Sequence, residues 1–170
     1  MTTPELFLAQ LEREADRTRR TVERVPEGRN DWRPHPKSMP LGYLAAHVAK
    51  LPSWIAMTIA RDEFVLDPAV ASPYTPKPLA TAGELVQSLD AAVAEARAAL
   101  AGTTDEHLMK PWRLIVAGHV VLEHPRHLVI SDVVFAHLAH HRGQLTVYLR
   151  LNDVPVPGLF GPSADERGPQ

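Results

Sequence analysis

Apolar residues recur at steps of three and four over four separate stretches of this chain, and prolines crowd the segments between them. The first stretch runs from about Thr3 to Val25. Thr3 can cap it, Pro4 suits a first helical position, and Phe7, Leu11, Thr18, Val22 and Val25 share a face. The segment VPEGRNDWRPHPKSMP then breaks the pattern and reads as a loop, with Trp32 as its anchor onto the core. A second stretch, from about Leu41 to Arg61, places Tyr43, Leu44, His47, Leu51, Trp54, Ile55 and Thr58 on one side. Pro52 lies inside it and predicts a kink or break one turn after His47. DPAVASPYTPKP follows as a second proline-rich connector.

The third stretch opens with the capping-box pattern of Thr81 and Glu84 and continues to about Leu100, with Gly102 to end it. Leu85, Leu89, Val93, Ala96 and Leu100 line its apolar face. WRLIVAGHVVLE, from Trp112 to Glu123, instead favours β-branched residues around Ala117-Gly118-His119, and so predicts a short hairpin. Pro125 precedes the last helix, from about Arg126 or Ser131 to Leu151. The expected fold is all-α: a four-helix bundle with a short β-hairpin or extended segment before the last helix. A single domain over residues 1–170 is expected, with residues 154–170 as an extended C-terminal tail that frays at its end.

Composition narrows the function. The net charge is −2 with histidines neutral, and acidic and basic residues are interspersed. No basic stripe could neutralise a run of phosphates, so nucleic acid is not an expected partner. No apolar run approaches the length of a membrane span and no leader pattern is visible, which makes a cytoplasmic location the default expectation. Cysteine is absent, so disulfides, thiolate ligands and a cysteine nucleophile are excluded; a substrate would have to bring any thiol.

AHLAHHRGQL, residues 136–145, then carries His137, His140 and His141 inside the last helix. At about 100° per residue, with His137 at zero, His141 lies at about 40°, Tyr148 at about 20° and Leu145 at about 80°. Asp132 and Arg150 fall near 220°, the solvated side, and His140 near 300°, on the flank. His137 and His141 are thus expected at the centre of the apolar face, and His47 occupies the same kind of face on the second helix. A lone inward histidine is more often a satisfied core residue than a ligand. Three imidazoles sent into one interior without partners would be costly, and a shared cation removes that cost.

His47, His137 and His141 are therefore the predicted metal ligands. Three imidazoles suit Zn, Ni, Fe or Cu, and three protein ligands leave a coordination position open, as in catalytic sites. Gln144, at about −20°, can orient a ligand from outside or simply pack. His140 and Arg142 are expected in helix–helix or interface contacts. Trp54 and Tyr148 are expected in core packing or lining a pocket. His35, His107, His119, His124 and His127 are read as surface residues. No catalytic residue beyond the ligands, and no organic-cofactor motif, is assigned.

DWRPHPKSMPLGYLAAHVAKLPSW, HLAHHRGQLTVYLRL and VPVPGLFGPSADE together resemble the DinB-like, YfiT-like family of metal-binding four-helix proteins over nearly the whole chain. The resemblance carries the family's metal ligands onto His47, His137 and His141. It further implies an antiparallel bundle, a homodimer and, in one branch, S-transferases that use bacillithiol or mycothiol in detoxification. Related isomerases place a carboxylate among the ligands, whereas histidine stands at all three positions here. The leading expectation is metal-assisted transfer of a low-molecular-weight thiol to a small electrophilic substrate. A metal-dependent hydrolase and a non-catalytic metal- or ligand-binding module are the alternatives. A phosphotransfer role is opposed by burial of the histidines.

Overall fold

The computed structural model describes residues 1–67 and 75–166, and its elements follow the hydrophobic pattern closely. Helix α1 spans Thr3–Val22 and is capped by Thr2 rather than Thr3; the Thr2 side chain accepts from the Glu5 amide, and Glu5 returns the bond. The capping box needs its acidic residue three positions after the cap, and Glu5 stands at that distance from Thr2. Helix α2 (Leu41–Lys50) ends where Pro52 has no N–H to continue the ladder, and α3 (Ser53–Ala60) begins afresh. The predicted break is there, one turn past His47. Helix α4 (Ala82–Ala101) carries the Thr81/Glu84 box and stops at Gly102, as its sequence indicates.

The expected hairpin is present as β2 (Pro111–Val116) and β3 (His119–Pro125). Ala117 and Gly118 form its two-residue turn, both with positive φ (48° and 80°), which matches the twist of the strands. The sheet also has a third strand that the sequence pattern did not reveal. Strand β1 (Glu63–Leu66) pairs in parallel with β2, from Glu63↔Arg113 to Leu66↔Val116. Glu63-Phe64-Val65-Leu66 is short and does not alternate, so a period of two gives no signal there. Helix α5 (Asp105–Met109) is a short addition before the sheet. The four stretches thus resolve into more than four helices plus a small mixed sheet, so the molecule is mostly helical rather than all-α.

The last helix is the least regular. It starts as one turn of α6 (Arg126–Leu128), continues as a π-helical segment (Val129–Ala136) and becomes α7 (His137–Leu151). The wider turn absorbs an extra residue and rotates everything before His137 relative to an ideal α-wheel.

Helix α4 lies along α1, α2 and α3, while α7 lies along α2 and α1. Between them Leu11, Leu44, Leu51, Leu89, Ile130 and Leu145 are fully buried, each worth about 1.5–3 kcal/mol relative to exposure. Trp32 packs on this core and meets Tyr148 edge-on at 5.4 Å, as its anchoring role requires. A smaller cluster of Met57, Trp112 and Val129 joins the sheet to the helices. Arg126, 1% exposed, locks this junction: its guanidinium donates to the carbonyls of Thr58 (3.0 Å), Arg61 (2.9 Å) and Pro111 (2.8 Å).

The tail is tied down as far as it is described. Asp165 pairs with Arg150 through both oxygens, and Arg17 and Arg20 donate to the Leu159 and Gly158 carbonyls. The fraying expected at the extreme end falls on residues 167–170, outside the described residues.

Candidate metal centre

His47 sits on α2 one turn before the proline break, and His137 and His141 occupy the first two turns of α7. The fold brings all three together. Ring centroids lie 4.5 Å apart for His137 and His141, 4.8 Å for His47 and His141, and 5.2 Å for His47 and His137. One ring nitrogen from each falls within 4.8 Å of the others. Tetrahedral coordination with metal–nitrogen bonds of about 2.0–2.1 Å needs separations of roughly 3.4 Å, so small side-chain adjustments would close the cluster on an ion.

The hydrogen bonds around the rings sharpen this. His141 Nδ1 lies 2.7 Å from Gln144 Oε1, and His137 Nδ1 lies 3.3 Å from the Val133 carbonyl. The Val133 carbonyl only accepts, so His137 carries its proton on Nδ1 and its lone pair on Nε2; with the Gln144 amide oxygen turned to its ring, His141 is in the same tautomer. Those two Nε2 atoms face each other at 2.8 Å. Two lone pairs at that distance repel unless a positive centre lies between them. The donor set therefore fits a metal ion, with the outer hydrogen bonds that metal-bound imidazoles ordinarily make.

A shared proton is a weaker solution. Burial pulls the His47 pKa down to about 4, helped by the neighbouring charges of His141 and His137. Burial also lowers His137, reinforced by His141, and lowers His141 against the opposing pull of Gln144. The cluster resists protons and keeps the neutral imidazoles that coordination demands.

His47 and His141 are buried, whereas His137 is only half-buried, which corrects its expected place at the centre of the apolar face. Leu138, Arg142, Leu145 and Leu149 widen that face on the other side, leaving His137 at its margin. The idealised wheel also ran through Val133 and Val134, which the π-segment displaces. His140 is exposed and outside the cluster, as its flank position indicates. Arg142 is buried against α1, paired with Glu14 at 2.6 Å and donating to Thr18 Oγ1, in the helix–helix role expected of it. Gln144 orients His141. Trp54 flanks the site, 5.7 Å from both His47 and His137 by ring centroid, while Tyr148 belongs to the core. Of the histidines read as surface residues, His35, His119 and His124 are exposed, but His107 and His127 are half-buried against the Ile59 and Leu108 carbonyls.

An apolar cavity of about 230 Å³ is lined by His47 and Trp54 together with Phe64, Trp112 and Leu114 of the sheet. The sequence pattern did not point to this chamber, because Trp112 stands 65 positions from His47 and only the parallel pairing of β1 with β2 brings the sheet to it.

Fold and site thus define a small, mostly helical protein with an imidazole triad able to hold a metal between two helices. The sequence profile of the DinB superfamily matches residues 10–145, and the chain belongs to that superfamily. Among solved structures, a DinB-like protein from Bacillus cereus ATCC 10987 is 20% identical, with a TM-score of 0.67 over 91% of this chain and 95% of that one. A DinB-like protein from Bacillus subtilis (YjoA) is 19% identical, with a TM-score of 0.64 over 89% and 95% respectively. These likenesses show a shared fold. A comparison with functionally curated proteins finds no match. Among the described residues, no helix is long and apolar enough to cross a membrane.

Proposed function

We propose that this chain is a divalent-metal-dependent enzyme that transfers a low-molecular-weight thiol to an electrophilic small molecule, on a four-helix bundle framework. The observation that carries the reading is the convergence of three neutral imidazoles, two with opposed Nε2 lone pairs, beside an apolar cavity. His47, His137 and His141 would hold the ion, and Gln144 and the Val133 carbonyl would set the ring orientations. A free thiol of pKa about 8.5 is only ~3% thiolate at pH 7, and a divalent cation bound here would supply the missing deprotonation. The chain contributes no cysteine, so the nucleophilic sulfur belongs to the co-substrate, of the bacillithiol or mycothiol type. Zn, Ni and Fe suit the imidazole set.

The test begins with metal analysis of the purified protein. About one divalent ion per chain is expected; His141→Ala abolishes tight binding and His140→Ala retains it. Co(II)-substituted protein is then titrated with bacillithiol, mycothiol, glutathione and coenzyme A, with a sulfur-to-cobalt charge-transfer band expected for one of them. Conjugation to an electrophile should require both metal and that thiol, and should drop to background in His47→Ala. A fully metallated protein that gives no band with any of the four overturns thiol transfer. Ester or amide cleavage without thiol would then identify a hydrolase, and inactivity a binding module.

A further inference from the structure

We propose that the cavity beside the triad selects an uncharged aromatic molecule, about one six-membered ring with a short substituent. This rests on the functional reading above insofar as it makes that molecule the electrophile of the transfer.

The sheet sorts its side chains by charge, and that carries the inference. Phe64 of β1 pairs with Leu114 of β2, and both line the cavity with Leu66 and Trp112, each two positions along its own strand. Successive residues of a strand point to opposite faces, so Glu63 and Arg113 lie on the other side, where they pair with each other at 2.8 Å. No Asp, Glu, Lys or Arg lines the chamber among the described residues. Trp112 and Thr58 also turn carbon to it, because Trp112 Nε1 and Thr58 Oγ1 are themselves buried. A charged molecule would lose its hydration there without replacement.

Ring shape follows from the rest of the lining. Tyr43, Trp54, Phe64 and Trp112 all contribute to it, and aromatic neighbours favour an aromatic guest over a saturated one of equal area. An apolar cavity of about 150 Å³ already accepts benzene, so about 230 Å³ leaves room for a short substituent on the ring. Water held against such walls finds few partners and is readily displaced. His47 belongs to both the cavity and the triad, and the Trp54 ring lies 5.7 Å from those of His47 and His137. A molecule in the chamber therefore lies beside the candidate metal centre.

The experiment uses the full chain freed of metal, whose hydrophobic core does not include the triad, labelled with ¹⁵N at its three tryptophans. Trp54 and Trp112 line the chamber, whereas Trp32 packs on Tyr148 and serves as the internal control. Benzyl alcohol, benzoate, benzylammonium and cyclohexylmethanol are titrated in turn; they share a shape and differ in charge or aromaticity. Benzyl alcohol should move the Trp54 and Trp112 indole signals and leave that of Trp32 in place. It should bind at least about tenfold more tightly than either ion, and a few-fold more tightly than cyclohexylmethanol. Leu114→Glu, which puts a carboxylate into the lining, should weaken benzyl alcohol and strengthen benzylammonium. The proposal is overturned if benzyl alcohol does not bind or moves only Trp32, or if an ion or the saturated alcohol binds as tightly; a preference for benzylammonium would identify an aromatic cage for cations instead. The wild-type titrations decide this even if the variant folds poorly. Because they need no metal or thiol, they fail independently of the cobalt titration.

Discussion

His137 and His141 each commit Nδ1 to an oxygen that only accepts, and the pH response of the molecule follows from that proton count. The sequence alone, using the free-imidazole pKa, would place competition between protons and metal near pH 6. Burial moves it lower, since all three rings are harder to protonate than free imidazole. Metal binding should therefore persist at pH 6 and decline between there and about pH 4, as read by equilibrium dialysis. Stability of the metal-free protein has the same sign. Above pH 6.5 neither folded nor unfolded chain carries charge on these rings. As pH falls from 6.5 towards about 4 the unfolded chain takes up protons that folded His47 refuses, so stability falls; beneath that both states are protonated and the loss levels off. Urea titrations at pH 7 and pH 4.5 should show the drop, and His47→Gln, which binds no proton, should show a smaller one.

At the scale of elements, the azimuth of α7 decides which histidines enter the site, and a buried ion pair helps hold it. Arg142, next to His141 in sequence, reaches Glu14 and Thr18 of α1, and Glu14 is held in turn by Arg17 at 2.7 Å. Removing one member leaves an uncompensated charge in a place water cannot easily reach. Glu14→Leu should cost about 3–5 kcal/mol in urea denaturation, whereas the double replacement Glu14→Leu/Arg142→Leu should recover much of the loss. A single variant as stable as wild type would mean that the pair is solvated and does not hold the helix. The π-segment works on the same coordinate from the other end, since its wider turn sets the rotation at which α7 begins at His137. The break at Pro52 ends α2 one turn after His47 and lets α3 turn Thr58 to the cavity.

For the whole molecule, the triad joins two helices 90 residues apart, so an ion bound there stabilises the folded state alone. Free metal at a hundred times its Kd should add about 2.7 kcal/mol. For a protein of this size that corresponds to a rise in Tm of about 5–10 °C, reversed by a chelator. An unchanged melting curve after verified metal removal would argue against a tight site. The metal-free chain is still expected to fold, because the leucine-rich core between α1, α2, α4 and α7 does not depend on the triad.

Much of this was legible one residue at a time. Helices reveal themselves through local periodicity, which is why the α2–α3 break and α4 stand where the apolar spacing and caps put them, and why α1 is found with its cap one residue earlier, at Thr2, and its end at Val22 rather than Val25. The same periodicity selects His47 and His141 as inward residues and leaves His140 outside, because an α-helix assigns faces by sequence distance alone. Strand β1, the π-segment and the half-exposure of His137 lay beyond it: β1 depends on pairing with a strand about 50 residues further along, and the π-segment breaks the regular 3.6-residue period on which a helical wheel rests. The cavity is the clearest case. The sequence by itself determined which side chains could coordinate a metal, since that is a property of residue type and helical face. Only the tertiary structure decided what shares a cavity with His47, because Trp112 and Thr58 are brought to it by a parallel strand pairing and the buried Arg126 clamp, contacts that exist only once the chain is folded.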